Sequence, residues 1–129
     1  MKILLDTHIF LWALLSPERL EDETVDLLES SETEKYLSAA SGWEIASKHT
    51  LGSLTLPKAP WEFVTTHMAA AGIRELPISV RDTMLANDLP GHHSDLIDRL
   101  LIAQAQSNQM YIVTDDPVFA RYDVKIIDC

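Results

Sequence analysis

Cysteine is almost absent. One residue, Cys129, stands among 129, so neither an intrachain disulfide nor a cysteine-based zinc cluster can form. That fits a reducing compartment, and a cytoplasmic setting is expected. Long apolar runs are missing too. The seven residues Ile9 to Leu15 are too few to cross a bilayer, and they follow Asp6 and His8, not the basic start of a signal peptide. No membrane partner and no targeting segment are therefore expected. Net positive charge is also lacking. The formal charge is −10, which at first sight argues against a nucleic-acid partner.

The charge is unevenly spread, which changes that inference. Glu18 to Glu34 holds eight acids and one base, Arg19, and contributes −7 of the total. This stretch reads as a solvated helix face. The remainder carries −3, and a few acids account for it. Hydrophobic residues make up 47% of the chain, enough for a folded core, and the length fits one domain over 1–129. No internal repeat, low-complexity tract or linker is visible.

Hydrophobic patterning predicts strands at Lys2–Leu5, Lys35–Ala39, Ile73–Ile78, Met110–Val113 and Lys125–Ile127. Helices are predicted at His8–Leu15, Asp22–Ser31, Ser41–Thr50, Trp61–Ala71, Val80–Asn87 and Leu96–Ser107, with one or two helical turns in Pro117–Tyr122. Alternation of strands and helices implies an α/β domain with a mainly parallel sheet and helices on both faces. Ligands of such sheets bind at the carboxyl ends of the strands.

Four acids fall at those ends: Asp6, Glu44, Asp98 and Asp116. Each also has a structural explanation. Asp6 can cap the helix after it. Ser41 and Glu44 have capping-box spacing. Asp95 can cap the Leu96 helix, with Asp98 favouring its dipole. Asp116 before Pro117 resembles an N-cap followed by proline at the first helical position. Taken jointly, the acids suggest more. If the first strand lies between the second and the fourth, all four loops open on one crevice. Clustered carboxylates repel, and a cation relieves the repulsion. Oxygen donors without cysteine suit a hard ion such as Mg²⁺ or Mn²⁺, a standard agent of phosphodiester hydrolysis.

The same residues carry a family likeness. LLDTHIFLWALL (Leu4–Leu15), SAASGWEIASKHTL followed by GSLTLP (from Ser38), DLIDRLLIAQ (Asp95–Gln104) and IVTDDPVFARY (Ile112–Tyr122) occur in order along almost the whole chain. Together they resemble the PIN-domain ribonucleases, in particular the VapC-like toxins of bacterial toxin–antitoxin pairs. The resemblance implies a three-layer α/β/α sandwich with strand order 3-2-1-4-5. It implies that Asp6, Glu44, Asp98 and Asp116 hold Mg²⁺ or Mn²⁺ and cleave RNA, with Thr114 as companion to Asp116. It also implies a homodimer silenced by a small cognate antitoxin. Leu96 stands where close relatives often have proline. Asp95 and Asp115 are spare acids beside the cluster, and either is a further candidate ligand.

Lys48, Arg99, His92 and His93 are candidate RNA contacts; surface ion pairs and solvated loop histidines are the plain alternatives. Trp12, Trp43 and Trp61 sit in helical spacing and read as core or interface anchors. Phe10, Leu11, Trp12, Leu14 and Leu15 form a broad apolar surface, which serves an antitoxin helix or, more plainly, the core or the homodimer seam. Two other functions were weighed. A receiver-type signalling domain also gathers acids at strand ends, but it needs paired acids after the first strand, and here Thr7 follows Asp6. An inactive PIN-like binding module is the other alternative, and the retained acids argue against it.

Overall fold

A computed structural model describes residues 1–129. In chain order the elements are β1 (Lys2–Leu5), α1 (Thr7–Leu15), α2 (Asp22–Glu29), β2 (Glu34–Ser38), α3 (Ala39–Thr50), α4 (Pro60–Ala71), β3 (Ile73–Leu76), α5 (Val80–Asp88), α6 (Leu96–Asn108), β4 (Tyr111–Thr114) and β5 (Lys125–Asp128). Short 3₁₀ turns fill Pro17–Arg19 and Pro117–Arg121. The expected elements are present, with ends shifted by a residue or two.

All strand pairings are parallel, in the order β3-β2-β1-β4-β5. β1 is central, with Leu4 opposite Tyr36 of β2 and Ile112 of β4. The order differs from the 2-1-3-4-5 of receiver domains, which removes that alternative. Ile3, Leu4 and Leu5 of β1 are all apolar because both faces of the strand are covered, while Lys2 at its start is exposed. Ile3 and Leu5 pack with Ile9, Phe10, Ile45 and Phe63 on one face. Leu4 points the other way, among Leu101, Ile102, Ile112 and Phe119. Helices α1 to α4 cover the first face and α6 the second, giving the three layers. Ile102 is fully buried, and truncating it to alanine costs about 2–5 kcal/mol.

Termini follow local chemistry. Gly72 closes α4 with φ +67°, a conformation glycine adopts freely. Ser79 and Asp82 form a reciprocal capping box at the start of α5, a signal the sequence reading passed over. Two expectations need correction. Ser41 does not cap the third helix; Ser38 does, its hydroxyl accepting from the Ala40 N–H at 3.0 Å. Trp43 and Trp61 are not core residues, being 73% and 81% exposed. Their helical spacing places them on the outer faces of α3 and α4. Trp12 is half-buried beneath the Arg19 guanidinium, 4.6 Å from its ring centre.

Candidate metal centre

The connections that leave β1, β2 and β4 open on the carboxyl edge of the sheet and carry Asp6, Glu44 and Asp116 there; Asp98 comes from the start of α6, which follows β3 and α5. Asp6 follows β1 directly. Its backbone N–H donates to the Val113 carbonyl at 3.0 Å, so the sheet itself fixes its position. The side chain is buried and does not cap α1. Instead, Asp6 Oδ2 accepts from the Thr114 hydroxyl at 2.7 Å. The Thr114 oxygen accepts in turn from the Asp116 N–H at 3.1 Å.

Glu44 rises from α3. Because Ser38 supplies the cap, the Glu44 carboxylate is not spent on the helix terminus. Ser41 is buried within the helix and accepts from the Thr7 hydroxyl at 2.9 Å, tying α3 to α1. Glu44 lies 3.3 Å from Lys48 Nζ one turn on.

Asp98 and Asp95 share the start of α6. Asp95 is the N-cap, as expected; its Oδ1 accepts from the N–H groups of Ile97 and Asp98 at 2.9 and 3.2 Å. That leaves the Asp98 side chain free. Burial, with the nearby Asp6 charge, pushes its carboxyl up to about 7, while a hydrogen bond from His93 pulls the other way. Asp116 caps the following 3₁₀ turn, Oδ1 accepting from the Val118 N–H at 3.0 Å, and still lines the crevice. Asp116 thus caps the turn and lines the crevice at once.

Asp6, Glu44, Asp95, Asp98 and Asp116 line one crevice of about 200 Å³, together with His8 and Lys48. Asp115 is not among its walls; it faces outward and pairs with His8 Nε2. Thr114 supports the floor through Asp6. Ligand-type atoms of His93, Asp98 and Asp116 lie within 4.8 Å of one another. The donor set is oxygen-rich, cysteine-free and more negative than its neighbours neutralise. It fits a hard divalent cation.

The candidate RNA contacts divide. Lys48 lines the crevice. His92 is exposed, its ring edge-on to Tyr122 at 5.2 Å. His93 is turned inward, with Nε2 2.6 Å from Asp98 Oδ2. Arg99 is not at the crevice. It is buried, and its guanidinium donates to the carbonyls of Asn87, Leu89, Pro90 and His93. One helical residue beyond Asp98 means about 100° of rotation, which carries Arg99 away from any phosphate.

His8 was missed. Its Nδ1 lies 3.3 Å from Asp6 Oδ2, and its ring is edge-on to Trp12. The hydrogen bond to Asp6, against opposing burial, raises its pKa from 6.5 to about 9, and the charges of Asp6 and Asp115 add to the shift. The available signal was position: a residue two after a strand-end acid, in the first turn of a helix, sits over that acid.

These features define a class: a parallel α/β domain with a carboxylate-lined crevice at the carboxyl edge of its central strand. The chain belongs to the PIN domain family, which it matches over residues 3–125. PIN domains are generally nucleases. No curated protein sequence matches it. Among solved structures it is similar to a chain of VapBC2 from Rickettsia felis bound to a DNA fragment from their promoter. The TM-score is 0.74 at 15% identity, covering 99% of this chain and 98% of that one. FitAcB from Neisseria gonorrhoeae matches at TM-score 0.66 and 21% identity, covering 98% and 96%. DNA-bound VapBC from Salmonella typhimurium matches at 0.69 and 17%, covering 99% and 98%. At these identities the likeness speaks for the fold.

Proposed function

We propose that this chain is a Mg²⁺- or Mn²⁺-dependent endoribonuclease, the toxin of a toxin–antitoxin pair. The observation that carries the reading is the convergence of Asp6, Glu44, Asp98 and Asp116, from four separate elements, on one crevice. Asp6, Glu44, Asp98 and Asp116 hold the ion, with Asp95 at the rim. A bound divalent ion supplies an activated water and neutralises charge on the scissile phosphate. Thr114 orients Asp6 through its 2.7 Å hydrogen bond. Lys48 and His8 face the crevice as cations and meet the phosphate backbone of RNA.

Family membership and the two-component complexes among similar folds support the toxin role, a small antitoxin as partner and a homodimeric state. No helix is long and apolar enough to cross a membrane. The antitoxin's site is an apolar cleft of about 180 Å³ beside α1, walled by Phe10, Ala13, Leu14, Leu20 and Val25. Of the residues the sequence marked for a partner helix, Leu14 lies in this wall, whereas Phe10 at its base is fully buried core.

The test is cleavage of RNA by the purified chain with Mg²⁺ or Mn²⁺. EDTA abolishes it. Asp6→Asn keeps the fold and lowers the rate on the order of 10²-fold or more, as damage to a metal ligand does. Undiminished cleavage by Asp6→Asn would place the chemistry elsewhere. A correctly folded chain that binds RNA and never cuts it is a binding module.

A further inference from the structure

Arg99 is a buried guanidinium spent on neutral acceptors. Nη1 donates to the carbonyls of Pro90 and His93 at 2.9 and 3.1 Å, and Nη2 to those of Leu89 and Asn87 at 2.9 and 3.3 Å. Tyr122 reinforces the arrangement, its hydroxyl donating to the same Pro90 carbonyl at 2.9 Å. Burying an arginine this way is costly unless its donors are used, and the carbonyls it holds run from the last turn of α5 (Asn87) through the α5–α6 segment (Leu89, Pro90 and His93). That segment carries His93. Both ring nitrogens of His93 are engaged: Nδ1 faces the Asp95 N–H at 3.4 Å. Nε2 lies 2.6 Å from Asp98 Oδ2, within hydrogen-bond distance of one oxygen of that carboxyl. With Nε2 turned to Asp98, the ring stands against one oxygen of a candidate ligand, although it also lies near enough to the cluster to be a ligand itself.

We infer that Arg99 and His93 form a brace that aims Asp98 into the crevice, making both positioning residues for the ion. The inference rests on the reading of the crevice as a cation site. Two successive residues of α6 divide the work. Asp98 faces the ion, and Arg99 grips the loop whose histidine holds one Asp98 oxygen, leaving the other for coordination. Hydrogen bonds of this kind to a ligating side chain fix its orientation, and their loss typically weakens metal affinity by about 10–100-fold.

The test uses Mn²⁺ alone as probe, with free ion followed by electron paramagnetic resonance. Wild type binds Mn²⁺ with no directly coordinated nitrogen in its spectrum. His93→Leu weakens binding by about 10–100-fold while the melting temperature in EDTA is unchanged. His93→Gln places an amide N–H where Nε2 stood and restores most of the affinity. Arg99→Lys, which replaces a five-donor fork by a point charge, weakens Mn²⁺ binding and speeds amide exchange in residues 87–95. Wild-type Mn²⁺ affinity in His93→Leu overturns the brace, as does an imidazole nitrogen signal that His93→Leu abolishes. In both cases the cation site itself stands. A wild-type chain that binds no Mn²⁺ ends the cation-site reading and the brace with it.

Discussion

The Thr114 hydroxyl donates to Asp6 Oδ2 at 2.7 Å across 108 positions of sequence, and its oxygen accepts from the Asp116 N–H. One buried hydroxyl thus sets the orientation of one strand-end acid and the backbone of another. Replacing Thr114 by Val removes both bonds at nearly constant volume. Mn²⁺ affinity should fall by about 10–100-fold, measured by titration of the purified protein, and Thr114→Ser should recover most of the loss.

Asp98 makes the metal-free protein sensitive to pH. Its carboxyl is raised from 3.8 to about 7 by burial and by Asp6, so ionisation is disfavoured in the folded state. Its contribution to stability is complete below pH 3.8 and is lost as pH rises through about 7. Asp98→Asn should therefore melt at a higher temperature than wild type at pH 8 in EDTA, and the gap should close toward pH 4. Thermal melts across that range check the sign.

His8 titrates in a later window. Raised from 6.5 to about 9 by its hydrogen bond to Asp6, it stabilises the fold fully below pH 6.5, and that support fades as pH passes 9. His8→Gln should be less stable than wild type at pH 6 and nearly equal to it at pH 10. Equal melting temperatures at pH 6 would mean that the ring does not pair with Asp6 in solution.

Cys129 is half-buried, and burial pushes its thiol up to about 11 despite a hydrogen bond with Thr24 that pulls it down. Only the thiolate is a good nucleophile. The folded protein should react slowly with a disulfide reagent at pH 8, and denatured protein should react at the rate of a free cysteine.

Much of the site was legible because strand-end acids are set by short local patterns. Asp6, Glu44 and Asp116 needed only the strand ends to be roughly right, and the apolar run Ile3–Leu5 marked the first of them; Asp98 was marked by the start of its helix. Strand order was different: parallel pairing leaves no local mark, and it came through the family likeness. The cap of α3 was misread because the SAAS stretch offers two serines three residues apart, and the second has Glu44 at capping-box distance. Pairing of β2 with β3 through Ser38 and Leu76 decides for the first serine. Arg99 was misplaced because a base beside an acid looks like a phosphate contact in sequence, and only burial shows that its donors are already taken. Trp43 and Trp61 show the reverse. Their spacing is helical, but periodicity does not say which face meets a core.

The strand order also sets a timetable. Chains are synthesised from the amino terminus, and a domain folds as a unit. β1, β2 and β3 are made first, with Asp6 and Glu44, but the other edge of β1 has no partner until β4 is made. Asp98 arrives with α6, Asp116 arrives after β4, and the Thr114 bond to Asp6 closes only then. A ribosome making this chain therefore carries an incomplete site for most of the synthesis. Activity that depends on all four acids begins only when the fourth has emerged.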